Sequence, residues 1–328
     1  MKFGHMPLAQ AEGAILAHRV ADIPKGTRLT AANLAHFADV GLDEIPVAKL
    51  ESGDVAEDDA ATRLAQALTH SASGVRLTKA STGRVNVVSE GPGLAAINSD
   101  VINAVNGVDP MITVATVPPL HRLEGGQLIA TIKIISYAVD GKALAGAEKA
   151  AMGGLGLHAP RRLTVSLIET LHPSSSPSEK GAQSLRGRLS ALGLSLSSVS
   201  STDHTVDALS SKISDQDADI ICLLTASATS DVRDVGPEAL RQIGGTLVHF
   251  GMPVDPGNLL FIGRLEGRFV IGLPGCAKSP ALNGADWVLE RLICGIPVTS
   301  ADITAMGVGG LLKEIPSRPR PRRAADEF

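Results

Sequence analysis

Three short segments in the C-terminal half combine small residues, hydroxyls and isolated charges in patterns suited to an anionic ligand. The first is TASATSDVRD, residues 225–234. Small residues such as Ala226 let backbone N–H groups approach a ligand, and the hydroxyls of Thr225, Ser227, Thr229 and Ser230 suit phosphate oxygens at a helix N-terminus. The same residue types also make local turns, and Asp234 has the position of a cap for a helix starting near Gly236. A carboxylate beside a phosphate-lined loop is what Mg²⁺-assisted phosphoanhydride chemistry needs, which makes Asp234 the candidate catalytic and metal-binding residue.

The second segment is GMPVDPGN, residues 251–258. Its prolines fix φ and its glycines admit unusual angles, so Pro253 and Gly257 specify a rigid loop that displays Asp255 and Asn258. A tight connection between strands explains the same pattern. His249, just before it, reads as a structural histidine at a strand end. The third segment, LPGCAKSP at residues 273–280, runs from a strand into a helix. Pro274, Gly275, Lys278 and Ser279 make an anion site with backbone donors. Cys276 reads as an incidental thiol, since no histidine is placed beside it by sequence. In the first half, Asn98, Asp100, Asn103, Asn106 and Asp109 form a polar cluster that either faces a ligand or makes turns.

These segments need strands and helices to position them. From Arg162 onward, apolar runs at 163–168, 194–199, 219–224, 246–250, 259–262 and 269–273 alternate with helical patterns at 178–192, 205–214, 236–243 and 279–294. That alternation is the signature of a mainly parallel, doubly wound three-layer α/β sheet, with ligands beyond the carboxyl ends of its strands. The loops after Leu224, Phe250 and Leu273 are therefore expected to line one pocket. Residues 1–140 show a helical pattern at 58–71 among short alternating runs at 75–80, 84–88 and 127–139, the pattern of a β-rich α+β domain. The expected division is 1–140, a linker or interdomain helix at 141–160, the α/β domain at 161–314 and a Pro/Arg-rich tail at 315–328 containing RPRPRR.

Bulk properties exclude several classes of partner. A net charge of -4 and a single Trp and Tyr leave neither a basic field for a phosphate backbone nor aromatic platforms for bases, so nucleic acid is not an expected partner. The 3 cysteines form no CxxC pair and read as reduced thiols. The N-terminal stretch lacks an apolar signal core and no run reaches the roughly 20 residues of a membrane helix, so no membrane partner is expected and the expected compartment is the cytoplasm.

Taken together, the three loops resemble those of the molybdopterin-binding domain of the MoCF-biosynthesis, MoeA/MogA type. In that family the corresponding loops read T-G-G-x-S-x-G-x-x-D, P-G-K-P and L-P-G-N-P. TASATSDVRD stands in the first place with Asp234 at the family aspartate and Thr229 at its serine, PVDP in the second and LPGCAKSP in the third. GMPVDPGNLL and LPGCAKSPALNGADWVLERL resemble stretches of the bacterial group in which this domain precedes a molybdenum cofactor cytidylyltransferase-type domain. The resemblance implies molybdopterin or a nucleotide form of the molybdenum cofactor as ligand, a nucleotidyltransferase as partner and a homodimer. It also implies molybdenum transfer as an alternative activity, and because a fold alone does not fix function, nucleotide-pyrophosphate hydrolysis on the same fold is a further alternative. Two departures bear on these. Ala226 and Ser227 replace family glycines, and Asp255 replaces the family lysine, which reverses a charge where molybdate would bind.

Overall fold

The computed structural model describes residues 1–312, and the chain divides into two compact units, residues 1–157 and the segment from His158 onward. The tail expected at 315–328, and the last residues of the domain expected over 161–314, lie outside the described residues.

The first unit contains two cores. In its first 49 residues, strands Lys2–Pro7, Glu44–Lys49 and Ile15–Leu16 pair in that order beside helix Ala31–Asp39. They bury Leu16, Phe37, Ile45 and Val47. Further on, strands Val75–Leu77, Arg84–Ser89, Leu128–Ile134 and Ile112–Thr116 form an antiparallel sheet in that order. Helices Glu57–Leu68, Ser99–Asn106 and Gly141–Ala150 share a core with it through Leu64, Leu68, Ile102, Val105 and Leu144.

Helix Gly141–Ala150 falls within the stretch expected as a linker or interdomain helix at 141–160, and it packs in the first unit's core. Leu144, Ala147 and Ala151 are fully buried in the first unit's core, and Asp140 caps the helix by accepting the N–H groups of Lys142 and Ala143. The stretch reads as weakly periodic because its buried face is mostly alanine, which gives little hydrophobic contrast. The polar cluster near residue 100 has local work as well. Asn98 caps helix Ser99–Asn106, Asp109 accepts from Met111 N at 2.8 Å, and the Asn106 amide bonds both the N–H and the C=O of Val114.

The second unit is one six-stranded sheet. Its elements are β1 (Val165–Leu171), α1 (Glu179–Ser190), β2 (Leu196–Asp203), α2 (Val206–Ser214), β3 (Ile220–Leu224), α3 (Val235–Gln242), β4 (Thr246–Phe250), β5 (Phe261–Leu265), β6 (Arg268–Gly272), α4 (Gly284–Ile293) and α5 (Ser300–Thr304). All the expected runs and helices are present. Helix α4 begins five residues later than the expected 279, because residues 275–278 form a single 3-10 turn and Asn283 then caps the helix.

The strand order is β2-β1-β3-β6-β5-β4, with β2, β1, β3 and β6 parallel and β5 and β4 alternating in direction. Composition follows position. The central strand β3 reads IICLL and every residue in it is buried, as a parallel strand covered on both faces requires. The edge strand β2 reads LSSVSSTD, leaves five of its eight residues exposed and presents polar groups there. On one face, Ile168, Ile221, Leu223, Phe261 and Val270 pack with Leu209 and Ile213 of α2 and Ala239 and Leu240 of α3. The other face carries Glu169 and Leu224 against α1, and α1 is tied to α4 by an ion pair between Arg188 and Asp286.

Strands β1, β3, β4 and β6 all point the same way, so the loops after them leave one edge of the sheet. The chain turns from β1 toward β2 on one side and from β3 toward β4 on the other, which opens a crevice between the ends of β1 and β3.

Candidate functional site

A cavity of about 190 Å³ occupies that crevice, lined by Glu169, Thr170 and Leu171 at the end of β1, Ser175, Ser176 and Ser178 before α1, Leu224 and Ala226 after β3, and Lys278 after β6. Its volume is below the roughly 300–1,000 Å³ of pockets that enclose a whole small ligand. It therefore suits one ring or one phosphate, with the rest of a ligand lying outside.

Helix α1 shapes the cavity through positions 181, 184 and 188, which share one face by their 3–4 residue spacing. At Gly181 a Cβ would lie 2.5 Å from both Glu169 Oε1 and Leu224 Cδ1, so the absent side chain keeps room for the carboxylate. Ser184 Oγ donates to the Lys278 carbonyl at 2.8 Å. Arg188 donates to the carbonyls of Ala277, Ser279 and Ala281 and pairs with the buried Asp286. These bonds fix the turn that carries Lys278, whose own side chain is exposed at the rim.

Glu169 is 7% exposed, the one charged side chain within the cavity wall that is buried. Burial pushes its carboxyl above the usual range, opposed by the nearby Lys278 ammonium and a bond from the Ser178 backbone N–H. On the other face of β1, Thr170 Oγ1 accepts from Ala226 N at 2.8 Å and meets His204 Nδ1 at 2.8 Å, while His204 Nε2 meets Ser227 Oγ at 2.9 Å. The Nε2–H tautomer satisfies this chain: Thr170 donates to Nδ1 and Nε2 donates to Ser227. His172 stands edge-on to His204, with ring centroids 5.3 Å apart.

Burial first, and then His172, hold the His204 pKa down, with Asp234 acting in the opposite direction. An NMR titration is expected to place its midpoint below the ordinary value of about 6.5, and His172→Ala should move it upward. A midpoint at or above the ordinary value would contradict the network drawn here.

Of the residues singled out by sequence, Ala226 and Lys278 line the cavity, and Ser227 is joined through His204 to Thr170 of its wall. Thr225 and Thr229 bond each other at 3.2 Å. Asp234 takes the capping alternative. Its Oδ1 accepts from Val235 N and its Oδ2 from Ser230 N, so both oxygens are engaged by the backbone. Among the described residues no group of three or more His, Cys, Asp or Glu side chains is placed to hold a metal ion, and a Mg²⁺ site at Asp234 does not fit this donor set.

The second loop corrects the expectation of one pocket lined by three loops. It leaves the same sheet edge, but its residues pack on the start of α4 and on residues 307–312. Asp255 exchanges backbone bonds with Gly310 and Leu312, Pro253 lies against Gly307, Gly257 lies against Gly284, and Asn258 Nδ2 bonds Met252 O. His249 is satisfied by Ser300 Oγ at 2.7 Å. In the third loop, Pro274 precedes the 3-10 turn, Gly275 is exposed, Cys276 is partly exposed and Ser279 Oγ accepts from Ala281 N. Cys222 is a buried thiol whose pKa is pushed up to about 12 by desolvation, with no nucleophilic role.

Sequence reasoning passed over Glu169, Thr170, His172, His204 and the serines at 175, 176 and 178. A signal existed for Glu169: a lone carboxylate at the end of the apolar run VSLIETL, on the first strand of a doubly wound sheet, falls where such sheets bind ligands.

No protein-family model matches the chain, and no curated protein does. Among solved structures, the chain is similar to a molybdopterin biosynthesis MoeA protein from Pyrococcus horikosii, with 11% identity, 92% of this chain and 75% of that one covered, and a TM-score of 0.29. It is also similar to a molybdenum cofactor biosynthesis protein from Pyrococcus furiosus, with 10% identity, 95% of this chain covered and a TM-score of 0.23, and it spans 64% of that protein's length. Likenesses this faint assign no site and no activity, and the fold rests on the sheet order and registers described above.

Proposed function

We propose that the second unit binds a phosphorylated pterin of the molybdenum cofactor type, or its nucleotide form, at the cavity between β1 and β3, and presents it to a nucleotidyltransferase. The observation that carries this reading is the convergence on one crevice of the two loops bearing family-like motifs, TASATSDVRD and LPGCAKSP, through Ala226 and Lys278. Lys278 and the hydroxyls of Ser175, Ser176 and Ser178 supply a cation and donors for a phosphate at the rim. The chemistry asked of these residues is holding and orienting, with no bond made or broken.

The transferase and hydrolase alternatives are less well supported. Each asks for a carboxylate free to hold a metal, whereas Asp234 is engaged by the backbone. Molybdate insertion also asks for a cation in the second loop, where this chain has Asp255.

The test is to purify the chain from cells that make the cofactor, oxidise any released pterin to its fluorescent form and quantify it by mass. A phosphorylated pterin near one per chain is expected. Lys278→Glu, which sets a second negative charge beside Glu169, should cut it by at least about tenfold, or ~1.4 kcal/mol. Recovery of ADP-ribose or a plain nucleotide, or of no ligand, would overturn the reading.

A further inference from the structure

We infer that Glu169 is a specificity-determining residue that reads an amidine edge, an amino group beside a ring N–H, on a planar heterocycle seated in the cavity. With the proposed function above, that edge is the 2-amino, N3–H side of the pterin, so the inference rests on that reading for its ligand.

The ordinary explanations of Glu169 fall short. A carboxylate near a helix N-terminus commonly serves as a cap, but α1 already has one, since Ser178 Oγ accepts from Lys180 N. It is not an ion pair in a dry setting either, because Lys278 is exposed. Burial without full compensation costs stability, and the chain also forgoes a side chain at 181, where a Cβ would lie 2.5 Å from Oε1. Residues kept at such a cost belong to sites.

The chemistry follows from what a carboxylate offers. Its two oxygens provide about four accepting positions and no donor. Even with the Ser178 backbone N–H acting on the carboxyl, both oxygens remain able to receive a ligand donor. Two parallel N–H groups spaced as in an amidine match a carboxylate bidentately. A ligand phosphate is a poor fit for the same spot, because the protein's own negative charge already occupies the first turn of α1. The ring edge therefore goes to Glu169, and the phosphate to Lys278 and the rim serines. A cavity of about 190 Å³ has room for the ring and not for the whole ligand.

The test uses the full chain and two probe pairs. Pterin is compared with lumazine, which has the same bicycle with a carbonyl in place of the 2-amino group, and guanosine with inosine, which lacks the amino group. Pteridines are followed by their own fluorescence and nucleosides by equilibrium dialysis. Wild type should bind pterin at least about tenfold more tightly than lumazine. Glu169→Gln presents one acceptor and one donor, the complement of lumazine's C2=O and N3–H, and should reverse the preference. A measurement on wild type guards against misfolding of the variant: lowering the pH until Glu169 is protonated, which likewise leaves it one acceptor and one donor, should remove or reverse the preference for pterin.

Equal binding of pterin and lumazine, unchanged in Glu169→Gln, would overturn the inference and leave the proposed function standing. Discrimination of guanosine from inosine that depends on Glu169, without pterin binding, would keep the inference and overturn the pterin reading. Binding of none of the four probes would overturn both.

Discussion

Arg188→Met is expected to destabilise the second unit by about 3–5 kcal/mol, the cost of leaving a buried partner charge uncompensated. Asp286 is 4% exposed at its side chain and Arg188 10%. Removing the guanidinium strands that carboxylate, and it also frees the carbonyls of Ala277, Ser279 and Ala281. The single tryptophan, Trp287, lies next to Asp286 in α4, so its fluorescence during denaturation reports this unit. For a unit of this size the melting temperature should fall on the order of 10 °C. Pterin retention should fall with it even where the variant remains folded, because the turn carrying Lys278 loses its clamp. A loss under about 1 kcal/mol, with retention unchanged, would show that Ser184 and the backbone hold the turn unaided.

The pair also allows a sharper comparison. Replacing both charges by apolar groups commonly restores stability, and Arg188→Met with Asp286→Leu should recover part of the loss. Recovery stays partial for a visible reason: Asp286 Oδ2 also accepts from Asn283 N at 2.7 Å as half of a capping box, and no leucine replaces that bond.

The parts of this architecture legible in sequence are those fixed by local pattern. Runs such as IICLL are short enough to favour strands covered on both faces over buried helix segments, and turns such as LPGCAKSP announce themselves through proline and glycine. From these the six strands, their alternation with helices and the edge from which the loops depart all follow. Long-range pairing was not legible. Nothing in GMPVDPGN shows that Asp255 would bond residues 310 and 312 and lie apart from the cavity. Nor does TASATSDVRD decide between a free and a capping Asp234, since an N-cap and a ligand-binding carboxylate use the same residue type in the same place. Glu169 was hidden by its neighbours, because the apolar run that leads to it ends at Ile168. That helix Gly141–Ala150 packs in the first unit's core was not legible, because alanine and glycine bury a face without marking it as hydrophobic.

Phe261→Ala should cost about 3–5 kcal/mol, as removal of a fully buried aromatic does, and the loss should fall on the loops that line the site. The Phe261 ring sits where two other residues have no side chain. A Cβ at Gly272, the last residue of β6, would lie 2.0 Å from its Cε1, and one at Gly236, in the first turn of α3, would lie 2.8 Å from the same atom. Both glycines have ordinary backbone angles, since neither is among the residues with positive φ. The three atoms nearest such a methyl at Gly272, and the two nearest at Gly236, all belong to the ring. Gly272→Ala by itself should therefore destabilise by about 1–3 kcal/mol through overpacking. In the Phe261→Ala background the same methyl enters the space the ring vacated, and Gly272→Ala should become neutral or stabilising. The interaction energy of this double-mutant cycle is expected to be at least about 1 kcal/mol and opposite in sign to the sum of the separate losses. Strictly additive losses would mean that the strand end resists a side chain for some reason other than Phe261. The cycle matters for the site because Gly272 leads directly into Leu273 and the Lys278 turn, and Gly236 follows the Asp234 cap. One buried ring thus sets the height at which two of the three cavity-forming loops leave the sheet.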